Sequence, residues 1–273
     1  MNAQTKEAIK NLEDRLSNLS ILDLKALLKA KIKFHHNYSL NNLLIAYCQL
    51  YPNRKHIDFL ELCEMQLAPF KVWSKWGFHI VKGSKSIKIL VPYLVKLKDE
   101  NGKPLIYEET GEEKKTIFYN LGSVFNVSQV CGENIDSLHR DIINNFSMST
   151  SELINKISKV YKVSFKNIEL NTGGYITKDG IVINALSCDK AQSATLLHEL
   201  AHGVLGHLNG SKDRKIEELE AEAVAYCVGC LLGVDMPSEF YLKAWGADGK
   251  KIKKSLSKID NAVNQIKNIL DIK

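Results

Sequence analysis

The chain has 273 residues, 45% of them hydrophobic and 25% charged, with a formal net charge of +6, which excludes a disordered or fibrous polypeptide and allows one large domain or two ordinary ones. No apolar run approaches the roughly 20 residues that span a bilayer, and the opening Met1-Asn2-Ala3-Gln4-Thr5-Lys6-Glu7 lacks the apolar stretch of a signal peptide. The charge is uneven: residues 1–134 hold 19 Lys+Arg against 14 Asp+Glu, and residues 135–273 hold 18 against 17, a bias compatible with a polyanionic partner of the first part.

Leu12, Leu16 and Leu19 give the N-terminus a helical period, and Ser20 with Asp23 forms a capping-box signature for a second helix through Leu24, Leu27 and Leu28. Ser39 is a good N-cap for a third, ending near Tyr51-Pro52. Asn41 and Asn42 in its first turn are poor helix formers, which suggests hydrogen bonding to a loop or a nucleotide.

After a short helical stretch around Leu60–Cys63, Phe70 to Ile89 interleaves aromatics with lysines. From Phe78 onward it alternates like strands that turn at Gly83-Ser84. Single-strand nucleic-acid binding needs rings to stack on bases and lysines to follow phosphates, and Trp73, Lys75, Lys82, Lys85 and Lys88 supply both, with Asn42 nearby in the chain. Packing is an equal alternative for Trp73 and Trp76. Leu94 to Val124 reads as a longer hairpin with an acidic tip at Glu108-Glu109-Thr110-Gly111-Glu112-Glu113. A boundary follows at Gly132-Glu133-Asn134, before helices expected over Ser137–Phe146 and Ser149–Tyr161.

In the second part, Gly173 to Asn184 reads as a hairpin turning at Asp179-Gly180, whose free edge suits an extended peptide. The helix after it carries His198-Glu199-Leu200-Ala201-His202. This is H-E-x-x-H: two histidines one turn apart can aim ring nitrogens at one metal, while Glu199 stands beside it as a general base for bound water. His207 lies nine residues past His198, which on a helix is roughly half a turn away, so it is not taken as a ligand. The next helix offers Glu218 and Glu222, one turn apart; one can ligate while the other bonds a ligating histidine, with Glu218 the favoured ligand. Glu217 and Glu220 fall on other faces and read as solvated. Tyr226 or Tyr241 could serve an oxyanion, though packing suits both better. The cysteines (Cys48, Cys63, Cys131, Cys188, Cys227, Cys230) show no framework spacing and read as the free thiols of a cytoplasmic protein, Cys227-x-x-Cys230 included.

Taken together, these stretches resemble the ArdC-like antirestriction proteins. The resemblance rests on Tyr38-Ser39-Leu40-Asn41-Asn42-Leu43-Leu44-Ile45, on Trp73-x-x-x-Gly77 leading into Lys82-Gly83-Ser84-Lys85-Ser86-Ile87, on Val124-Phe125-Asn126-Val127-x-Gln129, on the H-E-x-x-H, and on Glu217-Glu218-Leu219-x-Ala221-Glu222. The second part is also similar to regulatory peptidases that cleave repressors of mobile elements, in which a related Glu-x-Glu-Ala-Asn run follows the H-E-x-x-H; this chain has Glu222 in place of that asparagine. Ser86 stands where the N-terminal motif often has glycine.

The resemblance implies a two-domain α+β chain. Residues 1–134 would form a helical plus antiparallel-sheet domain that binds single-stranded DNA. Residues 135–273 would form a zincin-like metallopeptidase domain, holding Zn2+ or another divalent metal on His198, His202 and Glu218. It further implies protection of transferred DNA from host restriction. Two other readings stay open: a regulatory metallopeptidase acting on a repressor or another protein, and a DNA protector whose metal site is purely structural.

Overall fold

The computed structural model describes residues 3–33, 38–107, 111–133, 135, 147–169, 172–209, 213–234, 236 and 248–272. The helix expected over Ser137–Phe146, the tip residues Glu108 to Thr110, and Tyr241 lie outside them. The N-terminal helices are α1 (Ala3–Ser17), α2 (Ile21–Lys33), α3 (Leu40–Leu50) and α4 (Phe59–Glu64). Both arms of the capping box form at α2, Ser20 N–H donating to Asp23 Oδ2 (3.0 Å) and Asp23 N–H to Ser20 Oγ (3.1 Å). Burial raises the Asp23 carboxyl, but bonds from Ser20, the Ile57 N–H and His56 outweigh it and hold the group below its ordinary value.

The asparagines of α3 serve the core. Asn42 donates to the Leu90 carbonyl (2.9 Å) and accepts from the Leu90 N–H (2.8 Å), so its amide closes on the backbone of strand β3 (Ile87–Lys96). Asn41 donates to Lys253 O (3.2 Å) and Ser257 Oγ (3.0 Å) of the C-terminal helix, 200 residues on in rough terms. Asn42→Ala strands two backbone groups that are now paired inside the protein, and we expect it to cost about 3 kcal/mol, read as a lowered urea midpoint. A surface residue serving only DNA would leave that midpoint in place.

Strand β1 (Leu67–Ala68), helix α5 (Phe70–Lys75), β2 (His79–Ile80), β3, β4 (Lys115–Asn126) and β5 (Val130–Cys131) follow. The long hairpin pairs β3 with β4 from Ile87↔Val124 to Lys96↔Lys115, and β1 adds to the far side of β4. The expected pairing across Gly83-Ser84 does not occur. β2 pairs with β5 and β3 with β4. The cause is local: Ser84 N–H bonds Val81 O (3.1 Å) around Gly83 at φ +91°, a tight turn that needs glycine. Gln129 then bonds Lys85 O (2.8 Å), directing the outgoing chain into the other sheet.

The second part contains α6 (Thr150–Ile157), β6 (Val163–Lys166), β7 (Gly174–Thr177), β8 (Gly180–Asn184), α7 (Asp189–Leu205), α8 (Arg214–Leu232) and α9 (Gly249–Ile269). The sheet order is β6-β8-β7, with β6 parallel and β7 antiparallel to β8, so β7 is an edge. The hairpin turns through Lys178-Asp179, one residue earlier than its sequence suggests, because Thr177 pairs with Gly180. Gly180 sits at φ +133°, where a Cβ would stand 2.2 Å from Lys162 O; only glycine lets β8 start there.

One apolar cluster runs from Leu12 of α1 through α7 and α8 to Ile272. Helix α9 joins the parts: its Ile252, Leu256, Ile259, Val263 and Ile266 are buried. Its Asp260 meets Lys31 of α2 at 2.6 Å out of solvent, and its Lys253 pairs with Glu13 of α1. A smaller cluster around Ala68, Trp73, Phe78, Val127 and Val130 lies under α5. No disulfide forms, and Cys227 is fully buried in α8. Among the described residues no helix is long and apolar enough to cross a membrane.

Candidate metal centre and basic surface

Helix α7 buries Leu196, Leu197, Leu200 and Ala201 and ends at Gly206 in the left-handed conformation, φ +74°. Its partly exposed face presents His198 and His202, and α8 brings Glu218 to them. His198 Nε2 and His202 Nε2 lie 3.1 Å apart, and Glu218 Oε2 is 3.5 Å and 3.4 Å from them. Four-coordinate metal sites with bonds of about 2.1 Å separate their ligand atoms by roughly 3.4 Å, so the three side chains fit a divalent metal. Among the described residues this is the group of His, Cys, Asp and Glu side chains with ligand atoms close enough to hold one. Burial holds both imidazoles below their ordinary values, against the pull of Glu218. They are therefore neutral near pH 7, and a neutral imidazole is the ligating form. Glu222 is half-buried in α8 and outside the three-ligand cluster.

Glu199 lies between the histidines in the chain, half-buried, and bonds the Ile176 backbone of edge strand β7. Burial first and the Glu218 charge second push its carboxyl up to about 7, the range in which a carboxylate both accepts and releases a proton at neutral pH.

Behind His202 the structure departs from the sequence reading. α7 stops at Leu205, so the half-turn count to His207 does not apply; past Gly206 the chain folds back and His207 Nδ1 meets His202 Nδ1 at 3.0 Å. His207 Nε2 stands 3.4 Å from Glu220 Oε2. Glu220, expected to be solvated, is 1% exposed. Burial raises its carboxyl, but bonds from His207, Ser255 and Lys258 prevail and hold it below its ordinary value. Ser255 Oγ donates to Oε1 at 2.5 Å and Lys258 Nζ to Oε2 at 3.0 Å, both from α9. The covering helix lies more than 30 residues away in sequence, so a helical wheel of α8 alone cannot find it.

The residues expected on DNA divide. Lys75, Lys82, Lys85 and Lys88 are exposed, Lys88 Nζ bonding Ser123 Oγ at 2.8 Å. Trp73 is 1% exposed, with its indole N–H bonded to Phe125 O (3.0 Å), and Asn42 is occupied by Leu90. The expectation of DNA contact is corrected for these two: each spends its polar group on the fold. Trp76 is 44% exposed at the end of α5, edge-on to Trp73 at 5.4 Å.

An H-E-x-x-H helix meeting a glutamate of the following helix, with an edge strand bonded to the intervening glutamate, can hold a divalent metal and set a carboxylate beside it. The family model of the IrrE N-terminal-like domain, peptidase M78, matches residues 158–256. A solved structure of the antirestriction protein ArdC from plasmid R388, in its Mn(II)-bound form, is 17% identical; the match covers 78% of this chain and 80% of that one, with a TM-score of 0.50. The metal-free ArdC structure gives 20% identity over 76% and 78% of the two chains and a TM-score of 0.49. The Bacillus anthracis protein pXO2-81 is 26% identical over 250 residues, 76% of this chain. The present chain spans 42% of that relative's length. The fold is similar to that of ArdC, a mixed α+β arrangement, and the IrrE N-terminal-like match lies in its C-terminal part.

Proposed function

We propose that this chain is an antirestriction protein of a mobile element, acting in the cytoplasm. In this reading it binds single-stranded DNA through residues 1–134 and holds Zn2+ or another divalent ion in residues 135–273, on His198, His202 and Glu218. The observation that carries it is that one chain of ArdC-like fold exposes Lys75, Lys82, Lys85 and Lys88 and also holds a three-ligand cluster of metal-site dimensions. A bound divalent ion supplies Lewis acidity toward a carbonyl and toward water. In this reading His198, His202 and Glu218 would hold the ion, Glu199 would accept the proton of an attacking water, and the edge of β7 would line up an extended peptide.

The test is a salt titration of binding to single- and double-stranded oligonucleotides. Phosphate contacts weaken linearly in log–log form, with a slope of about −0.7 per contact for single strands. Replacing Lys82, Lys85 and Lys88 together by alanine is expected to weaken single-strand binding and to make the slope shallower by about 2. Salt-insensitive or absent binding in the wild type removes this reading. It would leave the second one, a regulatory metallopeptidase acting on a specific protein, which the IrrE N-terminal-like match and the raised Glu199 carboxyl support.

A further inference from the structure

We propose that His207 and Glu220 are positioning residues of the metal site, fixing the tautomer and ring orientation of His202. The inference rests on the proposed metal site and extends it to residues that touch no metal.

The logic follows hydrogen by hydrogen. Glu220 is enclosed and ringed by groups that can donate to it: Ser255 Oγ at 2.5 Å, Lys258 Nζ at 3.0 Å and His207 Nε2 at 3.4 Å. A carboxylate only accepts, so His207 carries its hydrogen on Nε2. Between His207 Nδ1 and His202 Nδ1 one ring must donate and the other accept, and a His202 that ligates through Nε2 carries its hydrogen on Nδ1, which makes His207 Nδ1 the acceptor. The atom facing it at 3.0 Å, His202 Nδ1, must then be the donor. Its hydrogen being on Nδ1, His202 turns a lone pair outward on Nε2, the atom that lies 3.1 Å from His198 Nε2 and 3.4 Å from Glu218 Oε2. The order carboxylate, imidazole, imidazole thus presents the ligand nitrogen in the form a cation requires. Enclosure makes the arrangement firm: the His207 side chain is 7% exposed and that of Glu220 1%. The line ends on α9, whose Lys253 and Ser257 region also holds Asn41 of α3.

Nitrogen NMR of histidine-labelled, metal-free wild type reads the tautomer directly. We expect the Nδ1–H form for His202; the Nε2–H form overturns the proposal. Glu220→Gln and His207→Ala provide the second measurement, metal affinity by chelator competition with Zn2+ and Co2+. Glutamine is nearly isosteric but can donate to His207 Nε2, which reverses the hydrogen order and puts a hydrogen on the ligand atom, the wrong-tautomer effect of exchanging a carboxylate for an amide. Each variant is expected to bind Zn2+ 10- to 100-fold more weakly, with an altered Co2+ visible spectrum. Both variants binding within twofold of wild type, with an unchanged spectrum, overturns the proposal, and if one fails to fold the other and the wild-type tautomer still decide it. A wild type that takes up neither ion overturns the metal-site reading itself, and the positioning role with it.

Discussion

His198→Ala is expected to leave the purified protein with almost no bound divalent metal and to abolish the rise in thermal midpoint that metal gives the wild type. Outer partners of a ligand are worth 10- to 100-fold in affinity, and loss of one of three protein ligands must exceed roughly 100-fold. Linkage turns this into stability: a metal present at about 1,000 times its dissociation constant stabilises by about 4 kcal/mol, and the variant forfeits most of that. The metal-free variant should unfold close to the metal-free wild type, because His198 is neutral there, partly exposed and outside the apolar cluster. Metal content by mass spectrometry, with melting curves with and without chelator, checks both halves. Full occupancy in His198→Ala would sink the ligand assignment.

The convergence of His198, His202 and Glu218 was the most legible part of this chain because its geometry is carried by short spacings. Four residues on a helix bring His198 and His202 to one face, and Glu218 follows on the first turns of the next helix. What sequence reading missed depends on distant covering elements. Glu220 does lie off the face that meets α7, but α9 covers it there and makes it the best-buried acid of the helix. His207 was judged by helical phase across Gly206, the residue that ends the helix. Asn42 and Trp73 looked like binding residues because polar and aromatic side chains among lysines suggest a nucleic-acid face. Both are core residues that use one polar group to fasten a backbone. A signal was present for Asn42, since Leu43, Leu44, Ile45, Ala46 and Tyr47 after it are all apolar and leave no solvated face. The mistaken hairpin across Gly83 has a similar origin: the local pattern marks the turn, while the partner strands β4 and β5 lie some 30 to 50 residues on in rough terms.

Glu199→Gln separates the three functional readings, and its consequences run in opposite directions. The substitution keeps the shape, spares the ligands and removes the proton acceptor, so metal content should match wild type. If the site hydrolyses peptides, the rate should fall about 10²- to 10⁴-fold, the usual worth of a positioned acid–base group. Stability should move the other way. The folded carboxyl titrates at about 7, above its value of 4.5 when exposed. Its contribution to metal-free stability is therefore intact below pH 4.5, declines as pH rises through that interval, and is fully lost above pH 7. At most about 3 kcal/mol is involved. Metal-free Glu199→Gln should consequently melt several degrees above wild type at pH 8, with the gap closing toward pH 4.5. A bound cation opposes the penalty by stabilising the carboxylate, so metal should narrow the gap at pH 8. A gap that does not depend on pH would show that Glu199 carries no buried charge. If Glu199→Gln protects incoming DNA as well as wild type does, the metal serves the fold and the antirestriction task belongs to the lysine-bearing part. If protection fails while single-strand binding persists, hydrolysis at His198-Glu199-Leu200-Ala201-His202 is part of the task.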